Sequence, residues 1–283
     1  REIDKELDLF YLYLRVEDHD ALAIDRTREE AEAFARTAVD FLSRCYGIEK
    51  APTAVLPAPG GRAALSALAA TLISPGQTVV VTEPGYPVFD RLAARSHAAV
   101  RSITLDPDSD FEPDLEPVSG ERAGAVRMLA LNYPNNPTGA TADLAFFEQA
   151  VDLARRHGLL LCHDAPYCDV TYGDYEAPSL LQVPGADEVA VEFNSLSKTA
   201  NMAGWRIGFV VGNAEMLRAL ATIKGYYDYG MFEPIQIAAA PPTTTRVSSL
   251  SKRVSASGLN TIWPSPFLIE MMITPNFGRI SDS

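Results

Sequence analysis

The residues with the clearest chemical potential follow an apolar segment, 189–193, that is typical of a buried strand. Ser195, Ser197 and Lys198 come directly after it, and Arg206 lies eight residues beyond the lysine. Lysine is uncommon here, since nineteen of the 24 basic residues are arginines. Unlike arginine, a lysine amine can lose its proton and form a Schiff base. Because hydroxyls and an arginine fork suit a phosphate, the segment predicts a reactive amine beside an anion site; a solvated loop with a surface lysine is the plainer alternative.

Polar clusters follow four of the predicted strands at their carboxyl ends. The clusters are Glu-Pro-Gly-Tyr at 83–86, Asn132 to Gly139, Asp164 to Tyr167, and Ser195 to Lys198. In open α/β sheets, ligands bind in the crevice outside those strand ends. The four clusters therefore predict one shared site.

A glycine pair, Gly60 and Gly61, precedes Arg62 and a predicted helix. Glycines there allow close approach of an anion to the free N–H groups and the positive end of the helix dipole, although a simple turn would have the same residues. Asp164 ends a buried strand, where a carboxylate either caps a helix or pairs with arginine, or holds the protonated nitrogen of a pyridine ring. We interpret His163 beside it as a packed or supporting imidazole rather than a base.

Two loop features complete the set of candidates. Residues 135–139 (NNPTG) are typical of a turn. A turn needs only one or two of these residues, so the presence of all five suggests a second role for Asn136. Tyr86 lies in a rigid proline-glycine loop, where it either packs in the core or stacks on a flat ring.

Composition excludes several classes of partner and site. The net charge of −13 argues against nucleic acid, and no run of eighteen apolar residues predicts a membrane span. The cysteines, Cys45, Cys162 and Cys168, form neither a metal-binding spacing nor an even disulfide set. We therefore expect a cytoplasmic protein without a metal site.

The hydrophobic pattern predicts alternating strands and helices. The predicted strands are 78–83, 100–105, 126–132, 159–164, 189–194 and 207–211, and the predicted helices are 28–46, 62–72, 88–97, 142–157 and 215–226. The strands are continuous apolar runs, which is typical of a sheet covered on both faces. We predict an α/β fold with a mostly parallel central sheet, helices on both faces, and a smaller α+β domain.

Taken together, these motifs resemble the fold-type I class I/II aminotransferases, which depend on pyridoxal 5'-phosphate. The resemblance rests on NYPNNPTG at 132–139, HDAPY at 163–167, SLSK at 195–198 and MAGWRIGF at 202–209. Within that family the chain looks most like the alanine (glutamate–pyruvate) and LL-diaminopimelate aminotransferases. QVPGA at 182–186 and YDYGMF at 227–232 carry the closer likeness.

The resemblance implies a role for each candidate residue. Lys198 would bind the cofactor as a Schiff base and then move the proton of the substrate. Asp164 would keep the ring nitrogen protonated, Asn136 and Tyr167 would hold the ring 3-oxygen, and Tyr86 would stack on the ring. The implied phosphate ligands are Gly61, Arg62, Ser195, Ser197 and Arg206. Arg279, in a short FGRIS match at 277–281, would bind the substrate α-carboxylate.

The resemblance also implies a reaction and an organisation. The enzyme would be a homodimer that moves an amino group between an amino acid and a 2-oxo acid by a ping-pong mechanism. Residues 1–35 would form an N-terminal arm and part of the small domain, 36–240 the cofactor-binding large domain, and 241–283 a small domain that is incomplete or atypical. The alternatives are another fold-type I reaction, such as a C–S lyase or decarboxylase, and a non-catalytic protein that binds the same cofactor.

Overall fold

The computed structural model describes residues 21–115, 118, 126–228 and 230–239. Its helices are α1 (Ala21–Tyr46), α2 (Gly61–Leu72), α3 (Phe89–Arg95), α4 (Leu144–His157), α5 (Ala186–Val189), α6 (Leu196–Thr199), α7 (Ala214–Asp228) and α8 (Glu233–Ala239). Its strands are β1 (Val55–Ala58), β2 (Thr78–Glu83), β3 (Ala99–Thr104), β4 (Val126–Leu131), β5 (Leu160–Asp164), β6 (Ala190–Ser195) and β7 (Gly208–Gly212).

In the described part of the chain, the seven strands form one sheet in the order β1-β7-β6-β5-β4-β2-β3. The five strands from β6 to β3 are parallel to one another. β7 is antiparallel to both β6 and β1. The predicted mostly parallel α/β fold is thus confirmed.

Helices cover both faces of the sheet, because its strands present apolar side chains in both directions. Along β4, Leu129 and Leu131 join one buried cluster, which includes Phe146 of α4. Met128 and Ala130 alternate with them and join the other cluster, to which α2, α3 and α7 contribute. This alternation is the two-residue period of a strand, and it explains why residues 128–131 of β4 are all apolar.

The structure differs from the sequence prediction mainly at the edge of the sheet. β1 was not predicted, because it has only four residues and contains Pro57, a residue that weakens the pattern of a strand. β1 occupies the end of the sheet order, where a proline is tolerated. Helix α1 begins at residue 21 rather than 28.

The topology brings separate segments of the chain to one edge of the sheet. β2, β4, β5 and β6 are parallel and end there. β1 also ends there, since it is antiparallel to β7, which is in turn antiparallel to β6. β7 begins at the same edge, two residues after Arg206. Within the described residues, no helix combines the length and apolar character needed to cross a bilayer.

Candidate active site

A cavity of about 730 Å³ opens at this edge of the sheet. All of the sequence-predicted cofactor residues line it: Gly61, Arg62, Tyr86, Asn136, Asp164, Tyr167, Ser195, Ser197, Lys198 and Arg206. The structure therefore brings together residues from six separate segments of the chain. Arg279, the predicted substrate ligand, lies outside the described residues.

Lys198 is carried by α6, a single helical turn that begins where β6 ends. The Ser195 side chain caps this turn by accepting a hydrogen bond from the Ser197 N–H at 3.2 Å. Leu196 is buried and fixes the turn to the core, whereas the Lys198 side chain is exposed to the cavity. Its Nζ lies 6.0 Å from the centre of the Tyr167 ring. The amine is thus held near a ring face at the wall of the cavity.

Asp164 forms the buried acidic end of the cavity. It is only 7 % exposed, and this loss of hydration raises its pKa from 3.8 to about 6, although the charge of the neighbouring His163 acts to lower it. Its backbone carbonyl accepts a hydrogen bond from Asn132 Nδ2 at 2.7 Å. At neutral pH the side chain is a poorly hydrated carboxylate, which favours a cationic N–H donor.

Asn132 is a site residue that the sequence prediction did not select. Besides holding the Asp164 backbone, its Oδ1 accepts a hydrogen bond from the Asn136 N–H at 2.9 Å. Asn136 Nδ2 then donates to the Tyr167 hydroxyl at 3.3 Å. Asn132 is buried at the first position after β4. A polar residue placed directly at the end of an apolar strand was the sequence signal for this role.

The corner of the cavity around Arg206 and the start of α2 carries the groups that bind an anion. Helix α2 begins at Gly61 and presents its unpaired N–H groups there. Arg206 Nη1 donates to the Ala203 carbonyl at 2.8 Å and lies 3.5 Å from Ser197 Oγ. A guanidinium, a hydroxyl and a helix amino terminus converge in this corner, which is the donor set that a phosphate requires.

Arg62 and Tyr86 form a pair at the mouth of the cavity. Arg62 Nη2 donates a hydrogen bond to the Tyr86 hydroxyl, and its guanidinium carbon lies 5.7 Å from the centre of the Tyr86 ring. Arg62 therefore orients the tyrosine as well as adding positive charge near the anion corner.

Gly60 is required in this corner by both conformation and space. Its φ is +81°, and a Cβ there would overlap Arg206 Nη2 and lie 2.8 Å from Arg206 Cζ. We expect Gly60→Ala to displace Arg206 and to weaken binding of a phosphate-bearing ligand about 10- to 100-fold, the effect of losing one charged hydrogen bond. Titration of the chain with pyridoxal 5'-phosphate, followed by fluorescence quenching, would measure this.

Gly76 provides a matched control for that substitution. Its φ of +83° is similar, but a Cβ there would meet nothing within 4 Å. Gly76→Ala should cost stability through backbone strain alone and leave ligand affinity unchanged. Equal losses of affinity in the two variants would contradict the proposed contact.

The comparisons with known proteins agree with this geometry. The family model for aminotransferase class I and II matches residues 16–258. The chain belongs to the class I and II aminotransferase family. Members of this family use pyridoxal 5'-phosphate.

Individual relatives carry the names that the sequence motifs predicted. The chain is 39% identical over 219 residues to an LL-diaminopimelate aminotransferase of Moorella thermoacetica, covering 77% of this chain and 56% of the relative. It is 46% identical over 180 residues to the glutamate-pyruvate aminotransferase AlaC of Escherichia coli, covering 64% and 44%. A substrate-bound BacF structure from Bacillus subtilis superposes with a TM-score of 0.75 at 30% identity, covering 84% of this chain and 65% of that one. The chain spans about half the length of the curated relatives.

The residues present fit the cofactor of this family. Pyridoxal 5'-phosphate needs an amine for its carbonyl, a carboxylate for its ring nitrogen and donors for its phosphate. Lys198, Asp164 and the Arg206 corner supply these three groups around one cavity. Arg206 lies so close to Gly60 that a Cβ would not fit between them, so the Arg206 guanidinium packs directly against the backbone of the phosphate corner.

Proposed function

We propose that this chain carries the cofactor site of an aminotransferase that moves an amino group between an amino acid and a 2-oxo acid by a ping-pong mechanism. The observation that carries the proposal is the cavity itself. A lysine amine, a buried carboxylate and a phosphate corner line the same 730 Å³ space, although they come from separate segments of the chain.

Asp164 sets the electronic state of the site. When bound, pyridoxal 5'-phosphate draws electrons away from the substrate Cα, and it does so best while its ring nitrogen is protonated. Asp164 would hold that proton, because a poorly hydrated carboxylate with a pKa of about 6 gains more from a cationic partner than from water. Asn132 fixes the backbone of Asp164 and so the direction of its side chain.

Lys198 would anchor the cofactor through its amine and, once a substrate amine has displaced it, take the proton from the substrate Cα. A side chain that is exposed to the cavity but mounted on a capped, buried turn can reach both positions. Proton transfer by such a positioned group contributes roughly 10²- to 10⁴-fold to a rate.

Asn136 and Tyr167 would hold the ring 3-oxygen as a pair. Burial, together with the charges of Asp164 and Tyr86, raises the pKa of the Tyr167 hydroxyl, so this group stays a hydrogen-bond donor throughout the working pH range. Ser195, Ser197, Arg206, Arg62 and the Gly61 N–H would bind the phosphate. Tyr86, oriented by Arg62, would cover the ring.

The larger organisation is proposed on the same grounds. We place the cofactor-binding domain at residues 36–240, with small-domain parts at 1–35 and 241–283 and the substrate carboxylate on Arg279. A homodimer follows from the family resemblance. A cytoplasmic location is supported by the three cysteines, all of which are described and none of which forms a disulfide.

A single-turnover experiment tests the reaction class. The full 283-residue chain, loaded with the cofactor, would be mixed with alanine, glutamate or diaminopimelate in turn. The proposal predicts one equivalent of the matching oxo acid together with the aminated cofactor, and return of the starting form on adding a 2-oxo acid. Release of carbon dioxide, or elimination from a sulfur-bearing amino acid without amination of the cofactor, would instead support a decarboxylase or lyase.

A further inference from the structure

A buried pair of titratable residues lies beneath the cavity and has no part in the roles assigned above. His163 and Glu192 are directly opposite each other on the parallel strands β5 and β6. They are 0 % and 1 % exposed. His163 Nδ1 lies 3.0 Å from Glu192 Oε2. His163 directly precedes Asp164 in the chain.

Glu192 is surrounded by donors as an ionised carboxylate would be. Ser179 Oγ lies 2.9 and 3.0 Å from its two oxygens, and the Leu180 N–H donates to Oε2 at 2.9 Å. Asn194 Nδ2 approaches Oε1 at 3.3 Å. A protonated carboxyl would have to give up one of these acceptor positions. The donor set therefore holds Glu192 as an anion despite its burial.

His163 faces an acceptor at each of its ring nitrogens. Nδ1 meets the Glu192 carboxylate, and Nε2 lies 2.9 Å from the Tyr133 carbonyl oxygen. The Tyr133 N–H also points toward Nε2, at the longer distance of 3.4 Å. A proton on each ring nitrogen would let His163 donate to both of the nearer acceptors. Phe147, whose ring centre lies 4.9 Å from that of His163, closes the site against water.

We propose that Glu192 and His163 form a buried ion pair whose imidazolium positions and keeps ionised the Asp164 carboxylate on the cavity side of the sheet. Adjacent side chains of a strand project to opposite faces, so the influence is electrostatic and does not need a shared hydrogen bond. His163 is the nearer charge to Asp164, while Glu192 lies beyond it on the next strand and stabilises the imidazolium.

The pair also supports the backbone around the cavity. His163 holds the Tyr133 carbonyl, and the preceding residue, Asn132, links the Asp164 carbonyl to the Asn136 N–H. His163 and Glu192 are thus positioning residues that act through Asp164 and the loop after β4. This inference rests on the proposed function only in assigning the ring nitrogen to Asp164.

Several other titratable groups lie near the pair. Asp164 itself has its pKa raised by burial and opposed by the His163 charge. The buried Cys162 thiol has a raised pKa and remains neutral, and the Tyr133 hydroxyl, also with a raised pKa, points away to donate to the Phe111 carbonyl. Cys168 is buried near the Tyr133 carbonyl. On the cavity side, the charge of Asp164 helps to raise the pKa of the Tyr167 hydroxyl, and Lys198 lines the same cavity. Among the groups named on the buried side, His163 is the proposed cation.

The charge of His163 can be measured without cofactor. The full chain, labelled with ¹⁵N in its four histidine rings, would be examined by NMR, with the His163 signals assigned from their loss in His163→Gln. We expect both ring nitrogens of His163 to be protonated at pH 7 in the wild-type chain and one to lose its proton in Glu192→Gln. A wild-type His163 with one unprotonated nitrogen at pH 7 would overturn the ion pair.

The effect on Asp164 has its own measurement. Without the imidazolium, the pKa of Asp164 should rise by about one unit, which is tenfold in its ionisation. The affinity of Glu192→Gln for pyridoxal 5'-phosphate should then be about tenfold weaker than wild type below pH 6 and within about twofold at pH 8. The titration of the free cofactor cancels in this ratio. A deficit that is the same at every pH would show a merely structural role and overturn the proposal.

Ser179→Ala is the matched control for that titration. It removes a donor to Glu192 but leaves both charges of the pair in place. Its affinity relative to wild type should not change with pH. If the wild-type chain shows the imidazolium yet binds no cofactor at any pH, the proposed function fails while the ion pair stands; if Glu192→Gln does not fold, the wild-type NMR result alone decides.

Discussion

Replacing Lys198 with alanine is expected to lower transamination by about 10⁴-fold, the upper range for removing a positioned proton-transfer group. The loss follows because, among the described residues that line the cavity, Lys198 is the one lysine, and the arginines there do not release a proton at working pH. Single-turnover oxo acid formation under saturating cofactor would measure it, so that weaker cofactor binding does not enter the result.

Two further lysine substitutions separate chemistry from charge. Lys198→Arg keeps a cation in the cavity but should be as inactive as the alanine variant, because a guanidinium does not exchange protons in this way. Lys50→Ala removes a lysine that pairs with Asp187 outside the cavity, and it should retain wild-type activity. More than a tenth of wild-type activity in either Lys198 variant would contradict the assignment.

Replacing Asp164 with asparagine should make the cofactor-free protein more stable at pH 8 while reducing transamination about 10²- to 10³-fold, as expected when one electrostatic stabiliser is removed. Burial raises the pKa of Asp164 from 3.8 to about 6 in the folded state. The folded state therefore favours the neutral form of Asp164. The contribution of this form to the stability of the fold is fully present below about pH 4 and is lost as the pH rises through 6. Above that pH, the ionised side chain destabilises the fold by up to ~3 kcal/mol.

The sign of this effect can be checked by denaturation at two pH values. Asparagine is neutral throughout, so urea unfolding should show the variant more stable than wild type at pH 8, with the difference largely gone at pH 4. Both proteins would be measured without cofactor. A variant that is less stable than wild type at pH 8 would show that Asp164 has partners that compensate for its burial.

The cofactor residues selected from the sequence line one cavity, whereas part of the sheet that holds them was not predicted. The four polar clusters could be placed together because parallel strands align their carboxyl ends, and parallel strands are recognisable as continuous apolar runs. Arg206 was selected for its residue type and its short spacing from Lys198. The physical reason for its position appears only in the structure, where β7 is reversed and therefore begins at the site edge.

Other features depend on contacts that no local pattern encodes. β1 was missed because four residues with a proline give no strand signal. Its place at the sheet edge depends on its pairing with β7, which is distant in sequence. The overlap of a Gly60 Cβ with Arg206 joins positions distant in sequence. Glu192 had a sequence signal, because it is a charged residue within an apolar strand. Its partner, however, could be identified only from the register of β5 and β6.

The most direct test of the account is to find where the cofactor attaches. The chain has five lysines: Lys5, Lys50, Lys198, Lys224 and Lys252. After incubation with pyridoxal 5'-phosphate, reduction with borohydride and proteolysis, mass spectrometry should find the adduct at about one equivalent on the peptide that contains Lys198. An adduct on another lysine, or one spread over all five, would contradict the claim that this cavity is the cofactor site.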